Sequence, residues 1–258
     1  MLKPLSGRHS RRGVMEDTPF LSIIIPAYHE EQRLPRTLEI LNGYLHRQTY
    51  SYELIVVDDG SSDESSRLMQ QCMRQFGEQG LFLKNERNRG KGYSVRRGVL
   101  SSHGDYVLFS DADLSTPITE VEKLLGSLRQ GYDIAIGSRG LKTSDIQVHQ
   151  AWYRERMGKI FNRIARSLHL TKFSDTQCGF KCFRGDAARS LFPLQSLEGW
   201  SFDVEILFLA ARRKYRIAEV PIQWFNEPNS RVNALTDAMK MFRDLLLIRY
   251  NAWSGKYD

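Results

Sequence analysis

The sequence predicts an α/β fold built on a mostly parallel sheet flanked by helices. The first observation is that strand-like and helix-like segments alternate from Phe20 to about Leu141. The second is that the strand-like segments are apolar without interruption, as expected of strands buried on both faces of a parallel sheet. The third is size, because 258 residues, 41% of them hydrophobic, suffice for one large domain with a core.

Each element of the first part follows from its local pattern. The first strand stops at Pro26, and leucines recur at helical spacing in the segment after it. Ser62 and Asp63 are good caps for the helix that begins at Glu64. The predicted strands are 20–28, 52–63 (which runs into polar turn residues), 81–86, 105–113 and 132–139. The predicted helices are 30–48, 64–76, 90–102 and 118–131.

The alternation weakens beyond about Leu141. The expected elements there are helix 149–170, a hairpin or loop and then a helix within 173–192, helix 200–214, strand 217–225 and a final helix 234–253. No linker separates the two parts, so the prediction is a single domain, 20–253, made of halves 20–140 and 141–253. Residues 1–19 are expected to form a basic mobile tail, because they contain arginines but no apolar segment.

Charge and cysteine content limit the partners and the compartment. The net charge of +7 favours anionic partners such as phosphates, acidic lipid headgroups or nucleic acid. No nucleic-acid-binding motif accompanies that charge, so no nucleic-acid partner is expected. Cys72, Cys178 and Cys182 cannot all pair, and without a secretory signal they are expected to be reduced thiols in the cytoplasm.

Acidic residues follow three of the predicted strands. Asp111 and Asp113 end the fourth strand, Asp58 and Asp59 end the apolar run of the second, and Glu30 follows the first. Carboxyl ends of parallel strands meet in one crevice, so these side chains are expected to converge there. Crowded carboxylates raise one another's pKa unless a cation neutralises them. The pattern therefore predicts a cation site in the crevice.

A hard divalent ion, Mg²⁺ or Mn²⁺, fits that prediction. Such ions commonly take one or two carboxylates together with substrate phosphates, which indicates a substrate that carries a diphosphate. Asp113 is expected to coordinate the ion, and Asp111 to contact a ribose or to assist the metal shell. Asp58 and Asp59 would then hydrogen-bond the base and the ribose. Lys91 stands in a glycine-flanked turn at a predicted helix start, a place that favours anions.

Five segments in this order resemble the family 2 glycosyltransferases of the Rossmann-like GT-A fold. They are IIIPAYHEE (23–31), VVDDGSSD (56–63), NRGKG (88–92), SDADLS (110–115) and GSR (137–139). Three further segments are similar to dolichyl-phosphate β-glucosyltransferases and their bacterial polyprenyl-phosphate relatives: DTQCGFKCF (175–183), WSFDVEILFLA (200–210) and KMFRDLLLIRY (240–250). The resemblance implies that residues 20–140 bind a nucleotide sugar and a metal, and that 141–253 bind the acceptor.

The resemblance implies roles residue by residue. Asp111 and Asp113 match the D-x-D motif that holds the metal and the donor diphosphate. Ser115 stands where related mannosyltransferases have a glutamine that helps to hold the metal, so the third protein ligand is left open. Arg139 and Arg231 resemble arginines that meet phosphate groups near the acceptor. The positions that match nucleotide-sugar contacts are Pro26, Tyr28, Glu30, Asp58, Asp59, Lys91, Asp111 and Ala112.

The implied reaction is an inverting transfer of a sugar, expected to be glucose from a UDP-glucose donor, to polyprenyl or dolichyl phosphate. The acceptor phosphate, whose second pKa is near ~6, is mostly ionised at neutral pH and can attack the anomeric carbon without a catalytic base. The metal would offset charge on the departing UDP. Arg139 and Arg231 would clamp the acceptor phosphate.

An alternative is a soluble transferase that glycosylates a hydroxyl of a saccharide or small molecule. That reaction needs a carboxylate base, and Asp203 is the candidate, with Glu205 behind it. A second alternative, an inactive module that only binds nucleotide sugars, is disfavoured by the intact aspartates. The oligomeric state is left open.

A lipid acceptor implies contact with a membrane surface, because no run approaches the ~20 apolar residues of a membrane-spanning helix. The expected location is the cytoplasm or the cytoplasmic face of a membrane. The final helix supplies a candidate basic amphipathic face, and a core-packed helix is the alternative. The candidate residues of that face are Met239, Lys240, Phe242, Arg243, Leu246, Arg249, Trp253 and Lys256. A second basic stripe consists of Arg154, Arg156, Lys159, Arg163 and Arg166.

Overall fold

The computed structural model describes residues 18–148, 152–226 and 236–257. The strands are β1 (Leu21–Ala27), β2 (Tyr52–Asp58), β3 (Gly80–Lys84), β4 (Tyr106–Ser110), β5 (Ile134–Ser138), β6 (Asp145–Val148), β7 (Phe180–Arg184), β8 (Ile217–Pro221) and β9 (Gln223–Phe225). The α-helices are α1 (Leu34–Leu45), α2 (Ser65–Met73), α3 (Lys91–Leu100), α4 (Val121–Arg129), α5 (Trp152–Ser167), α6 (Gly185–Leu191), α7 (Phe202–Arg212) and α8 (Thr236–Trp253). Short 3-10 segments occupy Arg74–Gln79, Ile118–Glu120 and Phe192–Leu194.

The central sheet has the strand order β3-β2-β1-β4-β7-β5-β8. β7 runs antiparallel to both of its neighbours, whereas the other pairings in this sheet are parallel. β6 and β9 form a separate two-stranded parallel sheet. The predicted α/β class, a mostly parallel sheet flanked by helices, is therefore confirmed.

Both faces of the central sheet are buried. Alternate residues of β1 pack into different hydrophobic clusters, Ile23 with Leu38 of α1 and Ile24 with Val95 of α3. Neighbouring side chains of a strand point to opposite faces, so a strand covered on both sides must be apolar throughout. This explains the consecutive isoleucines Ile23, Ile24 and Ile25 in β1, all of which are buried. It also means that β1, β2, β4 and β5, which share one direction, end at the same edge of the sheet.

The second half contributes strands that the sequence did not predict. β7 lies between β4 and β5, yet its second residue is Lys181, whose side chain is buried. A lysine interrupts the apolar run by which a central strand is recognised, so the segment was predicted as a hairpin or loop. The predicted strand 217–225 is divided, because β8 joins the central sheet and β9 pairs with β6. β6 has no counterpart among the predicted elements.

Strands from both predicted halves, 20–140 and 141–253, form the one central sheet. The boundary between the halves, and their separate tasks, stay predictions. Residues 1–17 of the predicted tail lie outside the described residues. Within the described part of the chain, no helix combines the length and the apolarity that crossing a bilayer requires.

Candidate active site

A cleft of about 790 Å³ lies where β1, β2, β4 and β5 end. These strands run in the same direction, so their carboxyl ends bring side chains to one place. The predicted site residues that line the cleft are Pro26, Tyr28, Glu30, Asp59, Lys91, Asp111, Ala112, Asp113, Arg139 and Asp203. Arg231 lies outside the described residues.

Pro26, Tyr28 and Glu30 reach the cleft from the end of β1. The Tyr28 ring stacks on the imidazole of His29, with 3.9 Å between ring centroids. Glu30 forms an ion pair with Arg33, 2.7 Å from Nε to Oε2, and both side chains line the cleft. The Glu30 carboxylate is therefore held by the chain at the position where the sequence predicts a nucleoside contact.

Asp58 does not line the cleft, in contrast to the prediction that it binds the nucleotide sugar. It is the last residue of β2, it is fully buried, and its Oδ1 accepts a hydrogen bond from the Ser61 N–H at 3.0 Å. The turn after β2 thus closes over the carboxylate. Asp58 therefore stabilises this turn, and its contact with the base or ribose stays a prediction.

Asp59 lines the cleft, but the chain itself uses both of its carboxylate oxygens. Oδ1 accepts hydrogen bonds from the Asn85 side chain at 2.7 Å and from the Arg89 N–H at 3.0 Å, and Oδ2 accepts one from the Gly90 N–H at 2.7 Å. These bonds hold the turn before α3. Asp59 thereby positions Lys91, the first residue of that helix, and its predicted contact with the nucleoside stays a prediction.

The glycine-flanked turn packs closely against the segment before α7. Gly90 has a φ of +107°, a conformation that favours glycine, and a Cβ there would lie 2.5 Å from the Glu198 carbonyl oxygen. A Cβ at Gly92 would lie 2.7 Å from Cβ of Phe202. Both glycines therefore allow the start of α3 to approach the C-terminal half, which fixes the backbone of Lys91 beside the cleft.

Lys91 and Asp111 form an ion pair in the cleft, with 2.5 Å between Nζ and Oδ1. Burial alone would lower the pKa of Lys91, but the carboxylates of Asp111 and Asp203 raise it above its ordinary value. The backbone N–H of Asp111 donates to the Gly179 carbonyl at 3.0 Å, and a Cβ at Gly179 would lie 2.1 Å from Oδ2 of Asp111. Asp111 is therefore held between a lysine and a glycine that leaves room for its carboxylate.

Asp113 retains excess negative charge beside this pair. Its Oδ1 accepts the Ser115 N–H at 2.9 Å, and burial together with the charge of Asp111 raises the pKa of Asp113 above its usual range. A cation beside Asp113 would relieve the repulsion. Carboxylate oxygens are the ligands that Mg²⁺ and Mn²⁺ prefer, so Asp113 and Asp111 fit such an ion.

The described residues do not form a complete metal cage. No group of three or more histidine, cysteine, aspartate or glutamate side chains is placed there to share an ion. One or two carboxylates completed by substrate phosphates is a common arrangement for Mg²⁺. The donor set therefore suits an ion that binds together with a phosphate-bearing substrate.

Asp203 lines the cleft but is paired with a buried lysine. Lys181 Nζ lies 2.5 Å from Asp203 Oδ1 and also donates to the Cys178 carbonyl at 2.5 Å. Burial raises the pKa of Asp203, although the charges of Lys181 and Lys91 oppose the shift. The predicted candidate base is thus part of a buried charge network. Lys181 stands in the segment DTQCGFKCF, but sequence reasoning gave it no role because its partner Asp203 lies in a different segment.

Glu205, predicted to stand behind Asp203, is fully buried and does not line the cleft. Its carboxylate accepts hydrogen bonds from the Leu197 N–H at 2.8 Å and from the hydroxyls of Ser196 and Tyr257 at 2.5 and 2.6 Å. Glu205 therefore fixes the segment before α7, the same segment against which the glycine-flanked turn packs.

Arg139 lines the cleft in a fixed orientation. Its Nε and Nη2 donate to the two oxygens of Asp175 at 2.6 and 3.0 Å, and its backbone N–H donates to Oδ2 at 3.0 Å. Burial would raise the pKa of Asp175, but Arg139 overrides that effect and lowers the pKa to about 2. Asp175 belongs to the segment DTQCGFKCF, and sequence reasoning gave it no role because its partner is distant in the chain.

Part of the cleft lining, called the apolar end below, consists of apolar side chains, and the sequence did not predict it. The lining side chains there come from α5, β9 and α8: Met157, Ile160, Phe161, Ile164, Trp224, Met241 and Phe242. At helical spacing such residues indicate a buried core face. The solvent exposure of Ile160 and Phe242, each about half exposed, contradicts a buried core face. Exposure depends on the tertiary structure, so the sequence could not reveal it.

A sequence profile described as Glycosyl transferase family 2 matches residues 22–192. Curated relatives align over most of the chain. The dolichyl-phosphate β-glucosyltransferase of Dictyostelium discoideum is 35% identical over 250 residues, covering 93% of this chain and 76% of the relative. The proteins of the same name from Drosophila melanogaster and Homo sapiens are 37% and 33% identical, covering 93% of this chain and 79% and 78% of the relatives.

Solved structures share the fold. The structure of glucosyl-3-phosphoglycerate synthase from Mycobacterium tuberculosis in complex with UDP gives a TM-score of 0.66 at 19% identity, over 89% of this chain and 80% of that one. The complex of the same synthase with Mn²⁺, UDP and glucosyl-3-phosphoglycerate gives 0.66 at 18% identity, over 89% and 78%. At these identities the likeness shows the fold alone.

The fold, the family profile and the curated relatives agree with one another. The sequence resemblance rested on short segments, whereas the relatives extend it over nearly the whole chain at more than 30% identity. The chain therefore belongs to glycosyl transferase family 2 and is a glycosyltransferase of the GT-A fold, similar along most of its length to dolichyl-phosphate β-glucosyltransferases.

Proposed function

We propose that this enzyme transfers glucose from UDP-glucose to dolichyl phosphate or a related polyprenyl phosphate, with inversion at the anomeric carbon. The observation that carries the proposal is one cleft whose lining combines acidic side chains at the strand ends, the acidic end, with apolar side chains of α5, β9 and α8, the apolar end. The acidic end suits a donor diphosphate, and the apolar end suits a hydrocarbon chain. Arg139 lines the same cleft, with its guanidinium 5.4 Å from the ring of Trp224.

The relatives support the acceptor and the sugar, because their names specify dolichyl phosphate and a β-glucosyl group. UDP as the nucleotide is supported by the solved complexes, which contain UDP or UDP-glucose bound to the mycobacterial synthase. In this chain the donor would contact Pro26, Tyr28 and Glu30 at the end of β1, and Lys91 and Asp111 across the cleft.

The proposed cofactor is Mg²⁺ or Mn²⁺, both of which occur in complexes of the mycobacterial synthase. Asp113 would hold the ion, and Asp111 would assist or contact the ribose. When bound, the ion supplies positive charge where negative charge builds on the leaving diphosphate. Lys91, with its raised pKa, stays charged at neutral pH and adds a second positive group at the same end of the cleft.

The acceptor phosphate needs a cationic clamp more than it needs a base. Asp175 holds Arg139 by Nε and Nη2, so the guanidinium plane is fixed before the acceptor arrives, and Nη1 lies outside that pair. A preorganised arginine orients a phosphate at low entropic cost. Arg231 is proposed as a second clamp. The phosphate oxygen then attacks the anomeric carbon opposite the leaving UDP, which inverts the configuration.

The test is a transfer assay with alternative donors. The protein is incubated with polyprenyl phosphate, Mg²⁺ or Mn²⁺, and one radiolabelled donor at a time, namely UDP-glucose, UDP-galactose or GDP-mannose, before extraction with organic solvent. Label from UDP-glucose is expected in the organic phase, and only when a divalent ion is present. Label that stays in the aqueous phase with every donor would overturn the lipid acceptor.

A hydroxyl acceptor would give Asp203 a different task, and one variant separates the two reactions. Asp203→Asn replaces the carboxylate that would accept the proton of a hydroxyl acceptor. A phosphate acceptor is already ionised at neutral pH, so it does not need this base. Transfer to polyprenyl phosphate is expected to persist in this variant. Loss of that transfer, in a variant that remains folded by circular dichroism, would contradict the base-free mechanism.

A further inference from the structure

α8 presents large apolar side chains on the face that points away from the protein. Trp253 is 85% exposed, Met239 71% and Tyr250 59%, and Phe242 and Leu246 are about half exposed. A contiguous apolar surface of this kind is unusual on a monomeric soluble protein and marks an interaction site.

These five side chains form one narrow stripe. With 3.6 residues per turn, positions 239, 242, 246, 250 and 253 fall within an arc of about 80°. Leu245, Ile248 and Asn251 are buried on the opposite side of the helix. α8 therefore has two apolar faces, and the expectation of a core-packed helix accounts for only one of them.

Basic side chains border the stripe on both sides. On the same helical projection Arg243 lies at one border and Arg249 at the other, with Lys240 further around the helix. All three side chains are exposed, as is Lys256 just beyond the end of α8. An apolar stripe between cationic borders is complementary to the interface of a bilayer that carries anionic headgroups.

The stripe is continuous with the cleft. Phe242 belongs to both, and its neighbour Met241 also lines the cleft. α5 adds Ile160, which is half exposed and lines the same cleft, together with exposed basic residues at Lys159 and Arg163. A hydrocarbon chain therefore meets apolar side chains both on the outer face of α8 and in the lining of the cleft.

We propose that the outer face of α8 is a docking surface for an anionic phospholipid bilayer, and that docking places the apolar end of the cleft at the lipid interface. The lipid substrate then reaches the cleft without its hydrocarbon chain crossing water. The link to the substrate rests on the proposed function, but the docking itself does not depend on it.

A second copy of this chain is the rival occupant of the stripe. Two identical stripes in contact would bring cationic borders near one another, which is unfavourable, whereas anionic lipid neutralises them. The stripe also ends in Tyr250 and Trp253, and these residue types concentrate at the boundary between bilayer and water. Both observations favour the bilayer.

The first experiment is flotation of the full chain with vesicles of phosphatidylcholine, alone or mixed with phosphatidylglycerol. The wild-type protein is expected to float with the mixed vesicles and to be released by salt, because the cationic borders are screened. Tyr250→Ser combined with Trp253→Ser is expected to lower the partition coefficient at least about tenfold. The matched control is Ile40→Ser with Leu100→Ser, two exposed apolar side chains of α1 and α3, which should partition like the wild type.

Charge is tested separately. Arg243→Glu with Arg249→Glu is expected to weaken binding to the mixed vesicles by more than about fivefold per residue, the loss that follows from removing one positive charge near an anionic surface. Arg47→Glu with Arg74→Glu, at exposed positions elsewhere, has the same net charge and serves as the control. Equal weakening in both double variants would mean that net charge, and not the α8 face, governs binding, and would overturn the proposal.

Two further readouts separate the possible failures. If sedimentation shows that the wild type is a dimer and the Tyr250→Ser, Trp253→Ser variant a monomer with unchanged vesicle binding, the stripe is a contact between copies and the proposal fails.

A short-chain prenyl phosphate that dissolves without lipid tests the acceptor alone. The variant is expected to glycosylate it like the wild type and to lose transfer only to a long-chain acceptor in vesicles. Vesicle binding without transfer to either acceptor would refute the proposed function and leave the docking surface standing.

Discussion

The two ends of the cleft are built in different ways. At the acidic end, charged side chains from α3, α7 and the segment after β4 are held by short ion pairs, Lys91–Asp111 and Lys181–Asp203. At the apolar end, side chains of α5 and α8 line the cleft and are partly open to solvent, Ile160 and Phe242 among them. The comparison shows that the charged groups are held by ion pairs within the chain, whereas part of the apolar lining is exposed to solvent.

That difference has a physical reason. Stabilising charge in a reaction depends on donors and cations that are already oriented, because reorientation costs free energy at the moment of reaction. Contact with a hydrocarbon chain is non-directional and scales with buried area, so it does not require fixed partners. Substitutions at the acidic end should therefore have larger effects than substitutions of equal size at the apolar end.

The largest effect is expected from Asp113→Ala. If Asp113 holds the ion beside the leaving diphosphate, its loss removes several kcal/mol of stabilisation, and turnover should fall by about 10³-fold. The control is Asp105→Ala. Asp105 is exposed and directly precedes the first residue of β4, so its loss should leave turnover unchanged. A turnover within about threefold of wild type for Asp113→Ala, a loss of less than about 1 kcal/mol, would remove the metal site from this account.

The next effect concerns stability. Lys181→Met leaves the Asp203 carboxylate buried without its nearest cation, and the free energy of unfolding should fall by about 3–5 kcal/mol. Lys123→Met breaks an ion pair of similar length, 2.6 Å, whose lysine is 52% exposed, and should cost less than about 1 kcal/mol. Urea denaturation measures both. The double variant Lys181→Met, Asp203→Asn should recover part of the loss, and an absence of recovery would show that the two residues are not energetically coupled.

A smaller effect depends on pH. Arg139 lowers the pKa of Asp175 from its ordinary 3.8 to about 2, so the folded state favours the ionised carboxylate. This stabilisation is complete above about pH 4, is lost as the pH falls toward 2, and amounts to about 2 kcal/mol. Asp175→Asn should therefore flatten the acid limb of the stability curve between pH 4 and 2. An acid limb as steep as that of the wild type would contradict the assigned pair.

The smallest effect is expected at the apolar end. Ile160→Ser removes a half-exposed apolar side chain from the cleft, about 1 kcal/mol of contact with a hydrocarbon chain, so the KM for a long-chain acceptor should rise about fivefold. The KM for UDP-glucose should not change. Leu100→Ser, similarly exposed on α3 and outside the cleft, is the control. A larger effect on the donor KM than on the acceptor KM would reverse the assignment of the two ends.

Much of the acidic end was predictable from the sequence, because several of its residues directly follow the carboxyl end of a single strand. Asp111 and Asp113 follow β4 directly, so the alternation of elements sufficed to place them at the sheet edge. The same rule does not distinguish Asp58 from Asp59, since the strand end alone does not tell which of two adjacent carboxylates the next turn covers. Asp59, one residue later, lines the cleft and binds the turn before α3.

The sequence by itself determined the class of the fold, the edge at which the cleft forms and the family, because apolar periodicity and contiguous motifs are local properties. Only the tertiary structure decided that Lys181 neutralises Asp203, that Asp175 orients Arg139, and that one face of α8 remains uncovered. Each of these depends on which distant segments meet. Partners separated by tens of residues are chosen by packing of the sheet and helices, and no local pattern records that choice.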